Sequence, residues 1–342
     1  MKQLFILLFL ISCSLNAFSN QVDENLKEEE KIIYSEYDKL RGQIDSFTSD
    51  EKGFLLSKAS SYAEDAYSDA ATNSKYSFFR NSEGTIAFSE DSDGKTLIDF
   101  SFLTVAPIKQ TPDLVHTIFT QLSAMSVEQF QDRRIGANIG LGYRNYNAEQ
   151  NLVLGINSFY DYEFSSDHYR IGLGGELKKG LLDLNFNYYE GLSGTKEIKI
   201  DNIKGNEKAL DGFDIEAGHP FPFLPWTRVF VAYSKFDGHL GEDPTSMRYS
   251  SELYLNSNLV AEAGYNDDRQ QDGIDQNYWF VKVSITSTKS NQPTLFGPEG
   301  QAYSNQIFGT RDVKSTLLQK VRRQNKITVE RSQSGTFQVG GN

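Results

Sequence analysis

Histidine serves in both metal binding and acid–base catalysis near neutral pH, and this sequence contains four. His116, His168, His219 and His239 stand far apart, without an HExxH motif and without a pair at i, i+4. A zinc site needs several ligands at closer spacing. We therefore expect no metal site.

A serine beside a histidine is the second candidate chemistry, because Ser165 and Ser166 come just before His168. A membrane lipase would place such a pair on its outward face, whereas the local period-two pattern puts His168 on the inward face. We interpret His168, Asp161 and Arg170 as a structural hydrogen-bond network. We expect no catalytic residues and no enzyme.

Glycine-rich and acidic stretches give two weaker signals. The runs at 140–142 and 172–175 lack the strand–turn–helix context of a phosphate loop, and glycines that relieve crowding on an inner face explain them better. The acidic stretches 266–268 and 271–275 resemble calcium-ligand patterns without matching an EF-hand. Solvated loops are the favoured interpretation, and we expect no cofactor.

The stretch 134–189 positions most of these residues, because it alternates with a period of two in four consecutive segments. One face is apolar, as with Ile139, Leu141 and Ile156, and the segments end in aromatic residues. Such segments of roughly 10 residues are typical of transmembrane β-barrel strands, although soluble sandwiches also alternate. The polar face predicts these lumen residues: Arg134, Asn138, Arg144, Asn157, Asp161, His168, Arg170, Glu176, Asp183, Asn185, Asp214 and Glu216.

Composition agrees with a membrane barrel. The chain has 342 residues, enough for one large barrel or two ordinary domains. Its net charge of −12 argues against a nucleic-acid partner. Aromatic residues make up 13%, which fits interfacial girdles. The single cysteine, Cys13, lies in the leader, so the mature chain has no disulfide.

The N-terminal region divides into two segments. Residues 1–19 read as a secretory signal peptide, with an apolar run at 4–11 and small residues before Asn20; a lipoprotein signal ending at Cys13 is the alternative. Residues 20–80 are charged, and apolar residues recur at helical spacing between 54 and 70. We predict a periplasmic helical spacer, with a barrel plug or a partner-binding helix as alternatives.

Residues 81–290 form the predicted all-β domain, a twelve-stranded antiparallel transmembrane barrel. Even strand numbers are usual in bacterial barrels. The connections after even-numbered strands are mostly short, except at 104–114 and 219–226, whereas 191–210, 237–246 and 266–277 are long, which places the N-terminus in the periplasm. The predicted strands are 83–90, 95–103, 115–124, 133–144, 151–162, 167–177, 181–190, 211–218, 227–236, 247–256, 259–266 and 278–287.

Residues 291–342 continue after the last strand as a basic linker. Val313, Leu317 and Val321 share a helical face, which predicts a short helix over 311–323, then a strand near 327–330 and a loose end over 334–342. We hypothesise that the basic segment threads through the acidic lumen and plugs it; a tail hanging in the periplasm is the alternative. The linker residues predicted in the lumen are Arg311, Lys314, Lys320, Arg322 and Arg323.

Six motifs together resemble the inverse autotransporter β-domain, the barrel of the intimin/invasin adhesins. They are GLGYR at 140–144, GINSFYDY at 155–162, HYRIGLGGE at 168–176, NYY at 187–189, LSG at 192–194 and VRRQNKITVE at 321–330. The resemblance covers about residues 60–332. It implies a linker that threads back through the lumen and an extracellular passenger of immunoglobulin-like domains. We expect a stand-alone form without a passenger, because the sequence stops about ten residues after the last motif.

These observations favour an outer-membrane barrel of a Gram-negative cell, reached after signal-peptide-directed export, that anchors and exports its C-terminal segment. A small passive channel and an adhesin acting through its own long loops are the alternatives. The expected partners are outer-membrane lipid, the barrel-assembly machinery and periplasmic chaperones. An extracellular ligand of unknown kind would serve adhesion.

Overall fold

The computed structural model describes residues 80–90, 96–130, 132–200, 203–239, 243–269, 276–290, 292–296, 311–333 and 336–340. The predicted signal peptide and periplasmic helix lie outside this part of the chain, apart from residue 80. The chain divides into two compact units, residues 1–59 and residues 60–342, and all described residues belong to the second. Within the described ranges, no helix has the length and apolar character needed to cross a bilayer.

Twelve strands, β1 to β7 and β10 to β14, close into one antiparallel barrel in which β1 pairs with β14. This confirms the predicted fold class. The strands, in chain order, are β1 (Ser82–Glu90), β2 (Thr96–Gln110), β3 (His116–Gln129), β4 (Asp132–Asn147), β5 (Leu152–Glu163), β6 (His168–Lys179), β7 (Leu182–Gly191), β8 (Lys196–Ile200), β9 (Ile203–Ala209), β10 (Gly212–Phe221), β11 (Leu224–Phe236), β12 (Thr245–Tyr254), β13 (Leu259–Arg269), β14 (Gln276–Thr286), β15 (Val329–Gln333) and β16 (Thr336–Gly340).

Strand β5 shows why the sequence forms a barrel with a polar interior. Every second residue from Val153 to Glu163 is buried, and the residues between them are exposed or half-buried. Leu154 and Ile156 are exposed on the outer surface, whereas Asn157, Phe159 and Asp161 are buried inside. Because successive side chains point to opposite faces of a strand, the period-two pattern puts apolar groups toward lipid and polar groups toward the lumen.

The two rims of the barrel differ. One, the turn rim, carries the connections 111–115, 148–151, 180–181, 222–223 and 255–258; the other, the loop rim, carries the longer 192–211 and 237–244. The long connections predicted at 104–114 and 219–226 are wrong. Strand β2 passes Pro107 and β10 passes Pro220, each at a register shift in the ladder, and bulges are where strands tolerate proline.

A second sheet lies at the loop rim, with the strand order β16-β15-β9-β8. The predicted loop 191–210 therefore contains a hairpin, β8–β9, and the predicted loose end 334–342 contains β16. Period-two reading missed these strands because β8 and β16 have only five residues each, too few to show a pattern. Their order comes from pairing with β15, which no local pattern reveals.

Over the described residues 311–323 the tail forms a 3-10 turn, Val313–Thr316, and no α-helix, so the helix predicted over 311–323 is wrong. Its three apolar residues do not share one contact surface. Val313 and Leu317 pack against Val153, whereas Val321 packs in a separate cluster with Phe119. Distinct pockets in the barrel wall, and not one helical stripe, account for the apolar spacing.

Candidate functional site

The interior wall of the barrel is the candidate site, because every wall residue predicted from alternation is buried there. Arg144, Asp161, His168 and Arg170 have no exposed surface. The other eight predicted wall residues are also buried: Arg134, Asn138, Asn157, Glu176, Asp183, Asn185, Asp214 and Glu216.

The C-terminal linker runs along this wall from the turn rim to the loop rim. At the turn rim, the Arg311 guanidinium donates to both carboxylate oxygens of Asp183, at 2.7 and 3.0 Å. Asn151, in a turn, accepts from the Val313 amide at 3.0 Å and donates to the Arg311 carbonyl at 2.7 Å. At the loop rim, the same chain pairs as β15 with β9. The linker therefore runs through the lumen from one rim to the other, as predicted.

Linker cations contact separate carboxylates of the wall. Arg323 donates to both oxygens of Asp161, at 2.9 and 2.5 Å. Lys320 lies 2.6 Å from Glu83. Charge-assisted bonds of this kind are roughly twice as strong as neutral ones, and desolvation leaves them less screened than surface pairs. The contacts fix the linker at several heights in the lumen.

Arg322 reaches across to the opposite wall. It donates to Glu216 through Nε and to Glu252 through Nη1, the latter at 2.6 Å. Its guanidinium also lies 3.5 Å from the centroid of the Phe230 ring. Sequence reasoning missed Glu83 and Glu252 because their strands alternate less cleanly. Their positions on the inward-facing side of β1 and β12, counted by alternate residues, were the signal that could have identified them.

Wall side chains also satisfy the linker backbone. Arg144 donates to the carbonyls of Thr316, Leu317 and Gln319, at 3.3, 2.9 and 2.8 Å. On its other side it binds Glu176. The carbonyls that a helix over 311–323 would need for its own ladder are thus taken by the wall. This explains why the tail does not continue as a helix.

Hydrogen bonds between wall side chains and the linker backbone continue toward the loop rim. Arg170 donates to the Gln324 carbonyl at 2.5 Å, and Asn138 donates to the Asn325 carbonyl at 3.0 Å. Gln121 accepts from the Val321 amide at 2.8 Å. Since the amides and carbonyls of the linker find partners in the wall, an extended chain is stable inside the barrel.

Two inward glycines make room for aromatic rings that line the linker. A Cβ at Gly142 would lie 2.2 Å from Phe119, and one at Gly140 would lie 2.2 Å from Phe159. The rings in turn stack near cations, with Arg323 at 4.2 Å from the centroid of Phe159. Gly174 is similarly crowded, since a Cβ there would lie 2.4 Å from Asn157, whereas a Cβ at Gly175 would meet nothing within 4 Å.

Glu207 forms a hub at the loop rim, where it is completely buried. Arg134 binds both of its oxygens, at 3.0 and 2.5 Å, and Nε2 of His168 lies 3.1 Å from Oε1. Arg331 of β15 donates to it as well. Burial opposes ionisation, but the hydrogen bonds from His168, Arg134 and Arg331 outweigh it and hold the pKa of Glu207 below its ordinary value.

The serine that contacts His168 is not one of the two considered from sequence. Ser193 lies 2.8 Å from Nδ1 of His168, while the Ser165 hydroxyl accepts from the Ile135 amide. Ser193 is buried, so this Ser–His–Glu arrangement offers a substrate no access. Among the described residues, no group of three or more His, Cys, Asp or Glu side chains is arranged to hold a metal ion.

One predicted linker contact is wrong. Lys314 lies within the 3-10 turn with its side chain exposed, whereas Val313 and Thr316 of the same turn are buried. The neighbouring Asp312 accepts from the Lys314 amide at 2.9 Å and caps the turn. Among the predicted linker cations, Arg311, Lys320, Arg322 and Arg323 do contact the barrel, whereas the Lys314 side chain faces solvent.

A closed antiparallel barrel with an apolar outer face and a filled polar interior defines the class of outer-membrane β-barrel proteins. The chain belongs to the inverse autotransporter β-domain family, whose profile matches residues 36–325. The family resemblance seen in the motifs is thereby confirmed. The match includes the linker as far as Asn325.

Individual proteins with similar sequences support the family assignment. The chain is 32% identical over 144 residues to the putative attaching and effacing protein homolog of Escherichia coli (strain K12), covering 42% of this chain and 46% of that protein. It is 32% identical over 110 residues to intimin of Escherichia coli O111:H-, covering 32% and 11%. Each match spans less than half of the relative.

A solved structure shows the same fold. It comes from work on the mechanism of in-meso crystallization of membrane proteins. It superposes with a TM-score of 0.56 at 22% identity, covering 73% of this chain and 100% of that one.

Proposed function

We propose that this outer-membrane barrel of the inverse autotransporter type anchors the chain and carries its C-terminal segment to the cell surface, without catalysing a reaction. The observation that carries the proposal is the path of the linker, from Arg311 at one rim to Val329 at the other. A chain that crosses the full barrel needs no second channel to reach the far side.

The direction of transport follows from the rims. Outer-membrane barrels have short periplasmic turns and longer extracellular connections, so the loop rim is assigned to the outside. The sheet of β8, β9, β15 and β16 then lies on the cell surface. Leader-directed secretion and insertion by the barrel-assembly machinery belong to this proposal.

The passive-channel alternative is less well supported. The linker occupies the lumen and contacts opposite walls, Asp161 through Arg323 and Glu252 through Arg322. A solute would have to displace these ion pairs, and removing one partner of a buried pair costs about 3–5 kcal/mol. A plugged barrel that holds its own chain fits the wall chemistry better.

The proposal also includes attachment of the cell to a surface. The relative from strain K12 is described as an attaching and effacing protein homolog, and we extend attachment to the loops and the C-terminal segment of this chain. Adherence of cells that display the barrel, compared with cells displaying a linker-deleted barrel, is the measurement. Equal adherence of both would assign any attachment to the loops alone.

Surface labelling of intact cells tests orientation and export together. A C-terminal epitope follows the tail, and single cysteines replace Lys204 at the loop rim or Asp113 at the turn rim, both exposed positions. We expect antibody binding and impermeant-maleimide labelling of Lys204→Cys in intact cells, and labelling of Asp113→Cys only after permeabilisation. The opposite labelling pattern would overturn the orientation, and a hidden epitope would overturn export.

A further inference from the structure

Strand β9 offers an edge to the linker at the place where the linker leaves the lumen. Four residue pairs join them antiparallel, from Val329↔Ala209 to Ser332↔Asn206. The Leu210 amide adds a bond to the Thr328 carbonyl at 3.0 Å. The other edge of β9 pairs with β8, so the hairpin exists as a unit on which β15 is the added strand.

Glu207 gives this edge a fixed charge. Arg134 of β4 and His168 of β6 bind its carboxylate from the barrel side. Those contacts belong to the barrel and the hairpin alone, so the carboxylate is already positioned when β15 arrives. Arg331 then adds a second guanidinium contact through its Nε. Preorganised groups bind a charged partner with less ordering cost than mobile ones.

Neighbouring elements also contact the first residues of β15 and the residues just before it. Ile327 and Val329 pack with Ala209 and Phe130 in one apolar cluster. The backbone amide of His239, from another loop, donates to the Glu330 carboxylate at 3.0 Å. The residues 327–331, which meet the rim, thus follow the order apolar, polar, apolar, acidic, basic.

We propose that the β8–β9 hairpin is a strand acceptor, which captures residues 328–332 as they emerge and sets the register at which the linker stops. Adding a strand to an exposed sheet edge is a general mode of peptide recognition, in which main-chain bonds give affinity and side chains give specificity. Here the partner is the protein's own exported segment. The proposal rests on the export proposed above and adds how the exported chain is retained.

The alternation of backbone groups along β9 supplies a matched pair of variants. Because the Leu210 amide points to β15, the amides of even-numbered residues of β9 face the same edge. Lys208 pairs with Glu330, whereas Lys204 lies on the same edge beyond the residues paired with β15. Proline at either position leaves the β8 ladder its bonds, but only Lys208→Pro removes a bond to β15.

The test is a pulse-chase measurement of the C-terminal epitope on intact cells. Wild type and Lys204→Pro are expected to expose it at equal rates, and Lys208→Pro about fivefold more slowly, since one lost hydrogen bond corresponds to a factor of this order. Equal rates for all three chains would overturn the acceptor. An epitope absent from the surface of wild-type cells would instead contradict export.

A second variant addresses the other partner of the contact. Arg331→Met leaves the hairpin sequence intact and removes the charge that meets Glu207, so slower exposure is expected here too. Heat-modifiable migration on gels reports whether each barrel has folded. If Lys208→Pro fails to fold, Arg331→Met decides: wild-type kinetics in this variant would overturn the acceptor.

Discussion

Arg323 of the linker and Asp161 of the wall share a two-point ion pair inside the barrel, with both side chains buried. Asp161 simultaneously accepts from Nε of Arg170 at 2.7 Å. The Asp161 carboxylate therefore connects the linker to two strands of the wall, β5 through its own backbone and β6 through Arg170. The pair is the central contact between the barrel and the chain that it holds.

The two members of this pair are not equivalent when removed. Asp161→Asn leaves two buried guanidinium groups without their anion, and we expect a loss of about 3–5 kcal/mol in barrel stability. Arg323→Met leaves Asp161 paired with Arg170, so its cost should be smaller. Thermal unfolding in detergent measures both, and the double variant gives the coupling energy. A larger loss for Arg323→Met would contradict the assignment of Asp161 as the shared anion.

Glycine at 142 is required for the position of the Phe119 ring. Gly142→Ala would place a methyl group 2.2 Å from that ring, and overpacking of this kind typically costs about 1–3 kcal/mol. Gly175→Ala is the matched control, because its added Cβ meets nothing within 4 Å. Adding Phe119→Leu to Gly142→Ala should restore part of the melting temperature. Equal melting temperatures for the two alanine variants would show that the ring moves freely.

The wall residues were predictable because side-chain direction in a strand follows from parity alone. Asp161, Arg170 and Glu176 could be assigned to the interior without knowing a single contact. Their partners could not, because barrel closure brings Glu83 of β1 and Glu252 of β12 to the linker from distant parts of the chain. No local pattern encodes that proximity.

In the linker it was the secondary structure that was predicted wrongly. Val313, Leu317 and Val321 have true helical spacing, and in water a helix would be the natural way to bond the backbone. Inside the barrel, Arg144 and the amide side chains of the wall replace those bonds. Secondary structure there follows from the surroundings, which explains why propensity and periodicity were misleading.

Arg144 should control whether the linker stays extended in the lumen. Arg144→Met removes the donors to three linker carbonyls and frees the segment after the 3-10 turn. We expect noisier, more frequent openings in single-channel recordings. Arg133→Met, an exposed arginine on the same strand, serves as control and should behave as wild type. Quiet recordings from both variants would show that other contacts suffice.

The hub at Glu207 predicts a loss of stability in acid. The pKa of this carboxyl is held below its ordinary value in the folded chain, so its contribution is complete above the ordinary value of about 4.3 and is lost as pH falls below it. The melting temperature of wild type should therefore approach that of Glu207→Gln between about pH 4.3 and 3. The difference between the two chains isolates this group from other carboxylates. A constant difference down to pH 3 would contradict the assignment.

Removing the linker should convert the plugged barrel into a pore. Deletion of residues 291–342 keeps all twelve barrel strands, the last of which ends at Thr286, and withdraws the cations that bind Glu216 and Glu252. The exposed carboxylates then face water, so we expect a larger and steadier conductance that prefers cations. Lys314→Ala, which alters only an exposed side chain, should leave the closed state unchanged. If the deleted chain folds, as its heat-modifiable migration would show, but conducts no more than wild type, the linker is not what closes the lumen.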